Sequence, residues 1–346
     1  MQGWWHWRPT RRTSELEWRR LFHPDLQPME NESMASYDVA LLGEMMVLLT
    51  AAEEGPLASV NTFHKMTAGA ETNVGIALAR LGTHVAWASR LGDDTMGAYL
   101  KNVMQEEGID CSQVQMMPGQ RTGFMLKGKV TEGDPPIEYY RSGSAASAMT
   151  ADDLDTDWLI QARHLHVTGI FPALNAGTYA LTVAAMKQMR HAGGTVSFDP
   201  NLRPALWGSS DTMRTRLNEL ATLADWVLPG LEEGRILTGA DSAKGIAAFY
   251  RNLGAQAVVV KLGAQGAFVQ TAEDTFTVSG YPVEKVVDTV GAGDGFAAGL
   301  ISGRLEGLDW QASVRRAAII GACAVQVAGD TEGYPDRVRL AELDAG

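Results

Sequence analysis

Cysteine is scarce in this sequence, which has only two in 346 residues, Cys111 and Cys323. They lie far apart and without the spacing of a metal site, so neither a disulfide framework nor a zinc site is predicted. Long apolar runs are absent too, and the first residues lack the apolar core of a signal peptide. The sequence therefore predicts a cytoplasmic protein that does not span or bind a membrane.

Positive charge is also in short supply. Lys and Arg number 29 against 41 Asp and Glu, which gives a formal net charge of −12. Such a charge argues against a nucleic-acid or anionic-membrane surface, so an anionic ligand must be met by a few local cations. With 45% hydrophobic residues, the chain can bury a large core as one large domain or two smaller ones. Chemistry on a small molecule is the favoured function.

The most informative stretch is DTVGAGDGFAAGL, residues 288–300. The β-branched run 283–290 predicts a strand, the glycines predict a tight turn, and the residues beyond predict a helix. The small residues Gly291–Gly293 let the backbone approach a ligand, and the free N–H groups of a helix start favour an anion. Asp294, in the same turn, is placed to take a proton from an attacking hydroxyl. The stretch therefore predicts a phosphate cradle with a general base.

Other interpretations of this stretch are weaker. Many strand-to-helix turns carry glycine only to pack a helix against a sheet. A dinucleotide fingerprint needs glycine where Phe296 stands, and G-x-x-x-x-G-K-[S/T] occurs nowhere. The whole string resembles the C-terminal signature of the ribokinase-like (PfkB) sugar kinases. That resemblance implies ATP and Mg²⁺ as cofactors, a monovalent cation as a further option, and the catalytic residues Gly291, Ala292, Gly293 and Asp294.

The resemblance also implies a fold. It is an α/β fold, a doubly wound and mostly parallel sheet flanked by helices, with a small β-sheet lid over the sugar. The lid segments would be 46–68 and 118–143. Two strands, 124–130 and 137–141, agree with such a lid, because a Gly-Asp-Pro-Pro turn and no helix joins them. An edge hairpin without function is the alternative.

A second signature lies near the start of the sheet. Gly69-Ala-Glu-Thr-Asn73 opens a predicted helix that ends at Gly82. It resembles the family's N-terminal signature, in which the glycine and the asparagine bind the sugar. Ala68 stands where the family has its first glycine, so a methyl group enters the expected sugar site.

Beyond residue 150, strands and helices alternate as in a doubly wound sheet. Arg203 follows the predicted strand 195–199, at the kind of strand end where open parallel sheets bind ligands. Glu233 matches the glutamate that, in the family's Asn-x-x-Glu region, positions magnesium through water, although Gly230 replaces the usual asparagine. A glycine-containing loop after strand 256–262 resembles the nucleotide-binding loop. The implied cofactor-binding residues are Lys261, Gly263, Gly266, Gly291 and Gly293.

The resemblance spans residues 36–342 and is strongest to the branch of the family that phosphorylates sugar acids such as 2-keto-3-deoxygluconate. A sugar acid needs a cation that a neutral sugar does not, and the planar guanidinium of an arginine suits its carboxylate. Met125 stands where those enzymes often have a substrate-binding tyrosine. The implied substrate-binding residues are Gly69, Asn73, Tyr139, Arg141, Ile170, Arg203 and Asp330. The alternatives are a 5-dehydro-2-deoxygluconate kinase, a fructokinase, and a sugar-acid-binding protein with weak or no turnover.

The first 34 residues differ from the rest. Tryptophans crowd there without core periodicity, and β-type patterning starts abruptly at Tyr37. We therefore expect residues 1–34 to be an extension outside the fold, with Met34 as the natural initiator and a kinase domain over 35–343. A tail that docks a partner is the alternative, because clustered tryptophans also suit an interaction peptide. A homo-oligomer stays open.

Overall fold

The computed structural model describes residues 36–130 and 135–345. The predicted extension, residues 1–34, lies outside the described residues, and so do Gly133 and Asp134 of the predicted Gly-Asp-Pro-Pro turn. Within those described ranges, no helix has both the length and the apolar character needed to cross a membrane.

Strands and helices alternate over most of the described chain. The strands are β1 (Tyr37–Leu42), β2 (Met46–Ala51), β3 (Phe63–Ala68), β4 (Val85–Gly92), β5 (Asp110–Met117), β6 (Phe124–Lys127), β7 (Ile137–Tyr140), β8 (Ala162–Thr168), β9 (Thr195–Asp199), β10 (Trp226–Val227), β11 (Ala257–Lys261), β12 (Ala267–Gln270) and β13 (Thr275–Val278). The α-helices are α1 (Ala70–Arg80), α2 (Thr95–Glu106), α3 (Thr156–Leu159), α4 (Ala176–His191), α5 (Ser210–Ala221), α6 (Leu231–Thr238), α7 (Ala243–Asn252), α8 (Ala292–Leu305), α9 (Trp310–Ala324) and α10 (Arg337–Ala345).

The large sheet has nine strands in the order β13-β12-β11-β10-β9-β8-β1-β4-β5. Neighbours from β11 to β5 are parallel, and β12 and β13 add an antiparallel edge. Central strands such as β11, with Val258, Val259 and Val260 fully buried, are apolar throughout because helices cover both faces. One core packs α1, α8 and α9 on the sheet, and the other packs α4, α5, α6 and α7. The predicted doubly wound α/β fold is confirmed.

A separate four-stranded sheet, which we call the lid, has the order β3-β2-β6-β7. Strands β6 and β7 pair antiparallel as the predicted hairpin, with the Phe124 and Tyr140 rings stacked at 4.6 Å. Strand β2 pairs with both β3 and β6. Its small core consists of Met46, Leu48, Ala68 and Met125. The lid therefore uses the two predicted segments, although β3 was not predicted as a strand.

The strand predicted over residues 283–290 is wrong. This segment is irregular and lies between β13 and α8. The backbone N–H groups of Val287 and Asp288 donate to the Val325 carbonyl at the end of α9, so the segment wraps a helix end instead of joining a sheet. Val286 and Val287 are 60% and 50% exposed. A β-branched run forms a strand only where a neighbouring strand can pair with it, and within residues 36–130 and 135–345 no strand pairs with this one.

Candidate active site

Polar side chains gather at the carboxyl edge of the large sheet. Thr168, Asp199 and Lys261 are the last residues of β8, β9 and β11. The N-terminus of α8 approaches the same edge, since the Lys261 side chain reaches it. Open parallel sheets bind their ligands at this edge, so the cluster is the candidate active site.

The predicted phosphate cradle is the first turn of α8. Gly291 precedes the helix with φ +77° and has no side chain to cap it, so the first N–H groups of α8 lack partners within the helix. A Cβ on Gly291 would lie 2.0 Å from the Asp330 carbonyl oxygen, which only glycine avoids. Ala292 and Gly293 continue the turn. The cradle therefore offers donors to an anion.

Asp294 is buried, 8% exposed, directly behind the cradle. Asn73 Nδ2 donates to Asp294 Oδ2 at 2.8 Å, and Asn201 Nδ2 lies 3.4 Å from Oδ1. Burial is the main cause that raises the pKa of Asp294 to about 8; the Asn73 hydrogen bond opposes the rise, and the charges of Asp199 and Asp330 add to it. A pKa close to neutrality suits a general base.

Asn73 connects two carboxylates of the site, those of Asp294 and Asp330. Its amide also donates to Asp330 Oδ2 at 3.2 Å. Two buried oxygens, Asn73 Oδ1 and Asp330 Oδ1, have no hydrogen-bond partner among the residues that the structure describes. Buried polar atoms are normally paired, so these two indicate a place for a ligand with hydroxyl donors. The structure thus brings together Asn73, Asp294 and Asp330, three of the predicted site residues.

Lys261 reaches the cradle from the end of β11. Its Nζ lies 2.5 Å from Asp199 Oδ2 and would lie 3.5 Å from a Cβ on Gly293. Burial alone would lower the pKa of Lys261, but the carboxylates of Asp199 and Glu233 outweigh burial and raise it, so the ammonium stays charged. A fixed cation beside the cradle suits the phosphates of a nucleotide.

The loop after Lys261 packs against a segment that lines a cavity of about 880 Å³. Gly263 and Gly266 have φ +58° and +99°, and a Cβ on Gly266 would lie 2.0 Å from the Val278 carbonyl oxygen. The segment 278–280 packed on this loop forms one wall of the cavity, and α9 forms another. The cavity is large enough for a cofactor-sized ligand.

Glu233 holds two backbone segments together. One of its carboxylate oxygens accepts from the Gly230 N–H at 2.7 Å, and the other accepts from the Leu202 N–H at 2.8 Å. The loop that carries Asn201 is therefore fixed to the start of α6. The glycine at position 230, a departure from the family pattern, leaves this arrangement intact because the contact uses only its backbone.

Glu44, which the sequence did not single out, holds the predicted Arg141. The Glu44 carboxylate accepts from the Arg141 guanidinium at 2.5 Å and 2.8 Å, and it also accepts from the Ser144 hydroxyl. Both Glu44 and Arg141 are buried. Gly69 packs against the backbone of Glu44, since a Cβ there would lie 2.7 Å from the Glu44 carbonyl oxygen. Arg141 is thus fixed in place, with much of its charge balanced.

The other predicted sugar-binding residues lie around this cluster. Ile170 is half-buried just after β8, with its N–H bonded to Thr168 Oγ1. Tyr139 is 50% exposed on β7 and pairs across the lid with Met125. Arg203 is exposed, and its guanidinium donates to the Leu202 carbonyl at 2.8 Å. Within the described ranges, no hydrogen bond or ion pair joins Tyr139 or Arg203 to Asp294.

Asp199, Asn201 and Glu44 belong to the candidate site by their contacts but were not predicted from the sequence. Asp199 and Asn201 lie in the same strand-end loop as Arg203, so their position at the carboxyl edge was a usable signal. Asn201 has φ +39°, a left-handed conformation that asparagine tolerates better than most residues. Glu44 follows β1 in the same manner.

The first turn of α8 offers N–H groups without partners in the helix, and a buried carboxylate lies beside it at the ligand-binding edge of the sheet. This arrangement is typical of a phosphotransferase. Residues 36–337 match the pfkB family carbohydrate kinases. The chain belongs to that family, and the family predicted from the sequence is confirmed.

Three relatives define its place more closely. The 2-dehydro-3-deoxygluconokinase of Bacillus subtilis (strain 168) is 47% identical over 307 residues, 88% of this chain and 95% of that one. A crystal structure of a PfkB protein from Polaromonas sp. JS666 has a TM-score of 0.83 and 55% identity, and covers 90% of this chain and 100% of that one. An E. coli structure described as a Ribokinase II with ATP and Mg²⁺ has a TM-score of 0.82 and 26% identity, over 89% and 99% of the two chains.

Proposed function

We propose that this protein transfers the γ-phosphate of ATP to the 6-hydroxyl of 2-keto-3-deoxygluconate, giving 2-keto-3-deoxy-6-phosphogluconate and ADP. The observation that carries the proposal is the position of Asp294, buried behind the cradle and hydrogen-bonded by Asn73. The choice of acceptor is supported by the Bacillus subtilis relative, named for the same sugar acid under its alternative name, 2-dehydro-3-deoxygluconate.

The reaction follows from the geometry. The acceptor hydroxyl oxygen forms a bond to the γ-phosphorus, the bond from that phosphorus to the bridging oxygen of ADP breaks, and Asp294 takes the hydroxyl proton. Negative charge spreads over the transferred oxygens in the transition state. The N–H groups of Gly291–Gly293 stabilise that charge without a covalent enzyme intermediate, and Lys261 adds a positive charge beside them.

Magnesium fits the residues present. Each oxygen of Glu233 accepts one backbone N–H and so keeps a lone pair for a water ligand of the ion. Asp294 and Asp199 add carboxylates nearby. Mg²⁺ keeps several waters and uses one or two carboxylates together with phosphates; when bound, it neutralises phosphate charge. We also propose that the nucleotide occupies the cavity of about 880 Å³ next to the Lys261–Gly266 loop.

Arg203 is the cation that we assign to the substrate carboxylate, together with Arg141. Arg141 is already paired with the buried Glu44, whereas the one contact seen for Arg203 within the described ranges is the neutral Leu202 carbonyl. The carboxylate end of the sugar acid then lies far from the cradle while its 6-hydroxyl meets Asp294. Arg203 therefore sets much of the preference for an acid.

Replacing Arg203 with Ala should lower kcat/KM for the sugar acid by one to two powers of ten, because a charge-assisted contact is lost. This corresponds to a loss of roughly 1.5–3 kcal/mol of transition-state stabilisation. Phosphorylation of neutral sugars should change little. Arg214→Ala, an exposed arginine on α5 paired with Asp211, is the matched control. Steady-state kinetics on both substrate classes make the measurement, and an equal penalty for acid and neutral sugar would remove Arg203 from the acid site.

A substrate panel with ATP and Mg²⁺ tests the function itself. We expect 2-keto-3-deoxygluconate to give the highest kcat/KM, with 5-dehydro-2-deoxygluconate second and fructose or ribose far behind. Higher efficiency on fructose would transfer the assignment to the fructokinases, which are more distant relatives. Binding of the acid without turnover would instead favour the sugar-acid-binding alternative.

The remaining expectations stand as parts of the proposal. The kinase domain extends over residues 35–343, with residues 1–34 as a separate extension, and the enzyme works in the cytoplasm on small molecules. Potassium activation is proposed in view of the related Vibrio cholerae fructokinase double mutant, which was solved in a potassium-bound form; activity in potassium against sodium buffers tests it. A homo-oligomer is tested by light scattering.

A further inference from the structure

Lys127 is a buried cation that the proposed reaction does not use. It is the last residue of β6 in the lid, and its side chain is 8% exposed. Its Nζ lies 2.7 Å from Asp288 Oδ2, in the irregular segment that leads into the cradle. These two residues are 161 positions apart, so the ion pair fastens the lid to the cradle segment.

Asp288 extends this connection into the cradle. Its other oxygen, Oδ1, accepts from the Val290 N–H at 3.2 Å, directly before Gly291. Burial alone would raise the pKa of Asp288, but the bonds from Lys127, Val290 and the Gly329 backbone outweigh burial and lower it, so the carboxylate stays ionised. One carboxylate therefore contacts the lid, the cradle and the segment before Asp330.

The contacts continue to the base. Gly329 is followed by Asp330, Asp330 shares the Asn73 amide, and Asn73 holds Asp294. An ion pair, three hydrogen bonds and the peptide bond between Gly329 and Asp330 thus connect the lid to the proton acceptor. Separating Lys127 from Asp288 leaves the buried ammonium of Lys127, 8% exposed, without its charged partner, which is costly. The position of the lid and the position of the cradle are consequently linked.

We infer that Lys127 is a positioning residue that couples the lid over the sugar to the phosphate cradle through Asp288. The inference concerns how the site is assembled, and only its kinetic consequence rests on the proposed function. Sugar binding that orders the lid also orders the cradle through this pair, and by reciprocity nucleotide binding favours the closed lid.

Two variants break the Lys127–Asp288 pair, and a third serves as the control. Lys127→Met removes the ammonium at similar size, and Asp288→Asn removes the carboxylate charge at the same size. Lys129→Met is the matched control, because Lys129 follows the same strand but is exposed and donates to the Ala52 carbonyl. Amide hydrogen exchange without ligands should accelerate about tenfold at residues 290–295 and in β6 in the first two variants, and stay unchanged in the control. Unchanged exchange at the cradle in both variants would overturn the inference.

Kinetic measurements distinguish a positioning role of the pair from a purely structural one. Each single variant should lower kcat/KM for the sugar roughly ten- to a hundredfold, while the affinity for a non-hydrolysable ATP analogue without sugar stays within about threefold. The double variant should be no worse than either single one, because both remove the same interaction. Additive losses would overturn the coupling. Failure of the wild-type protein to use the sugar acid would overturn the proposed substrate, whereas hydrogen exchange would still decide on the Lys127–Asp288 pair.

Discussion

Replacing Asp294 with Asn should lower turnover by about 10²–10⁴, the contribution expected of a general base, while the nucleotide still binds. Asparagine is nearly isosteric and retains an oxygen for the Asn73 amide, which bonds Asp294 at 2.8 Å. It cannot accept the hydroxyl proton. Steady-state turnover and titration with an ATP analogue measure the two effects separately.

The pH dependence sharpens this test. Burial is the main cause that raises the pKa of Asp294 to about 8 in the ligand-free protein. The general base must be ionised to accept a proton. Since kcat/KM reports the free enzyme, it should rise with pH, reach half of its maximum near pH 8, and level off about one pH unit higher. The Asn variant should lack that rise. Asp211→Asn, an exposed carboxylate on α5, serves as control, and near-normal turnover by Asp294→Asn would contradict the assignment.

Stability should respond to pH in the opposite sense. The folded pKa of Asp294, about 8, lies above its ordinary value of 3.8, so the folded state holds this proton more tightly than the unfolded state. The stabilisation is complete below about pH 4 and is lost as pH rises towards 8. Chemical unfolding across this range should therefore show a component that disappears in Asp294→Asn.

Replacing Gly291 with Ala should have the second largest effect, with loss of several kcal/mol of folding free energy and at least a hundredfold loss of turnover. The backbone has φ +77° there, which costs an L-residue about 1–2 kcal/mol. The added Cβ would also lie 2.0 Å from the Asp330 carbonyl oxygen, so either the cradle or Asp330 must shift. Urea unfolding measures the loss of folding free energy, and steady-state kinetics measure the loss of turnover.

Gly307 provides the control for backbone conformation alone. It has φ +83°, and a Cβ there would have no neighbour within 4 Å. Gly307→Ala should thus cost only the conformational term, about 1–2 kcal/mol, with activity kept. If Gly291→Ala proved as mild as Gly307→Ala, the close approach of the cradle to Asp330 would not be needed for function.

The local parts of this fold were predictable from sequence. Strand 195–199 and the helix starting after Gly69 agree closely with β9 and α1, because apolar period and glycine placement determine such elements. The strand prediction for residues 283–290 was wrong because a strand needs a neighbouring strand to pair with, and the local sequence pattern does not contain that information. The cradle and Asp294 were recognisable because all their atoms come from one short segment.

The pairings across the chain were not predictable. Lys127 with Asp288, and Arg141 with Glu44, join residues 161 and 97 positions apart. Each residue alone looks like an ordinary surface charge, and only the packing of lid against sheet buries it. The sequence therefore indicated which chemistry to expect, whereas the electrostatic surroundings of that chemistry required the three-dimensional structure.

The Asn73 contacts have a consequence for biogenesis. This side chain bonds Asp294 and Asp330, 221 and 257 residues further along. During synthesis from the N-terminus, the sugar-side half of the site exists long before its acid–base partners emerge. Strand β1 lies inside the sheet, and β8 to β13 are added outward from it in chain order. A polypeptide interrupted before Asp294 thus lacks both carboxylates that Asn73 contacts, and the site can assemble only when translation has almost finished.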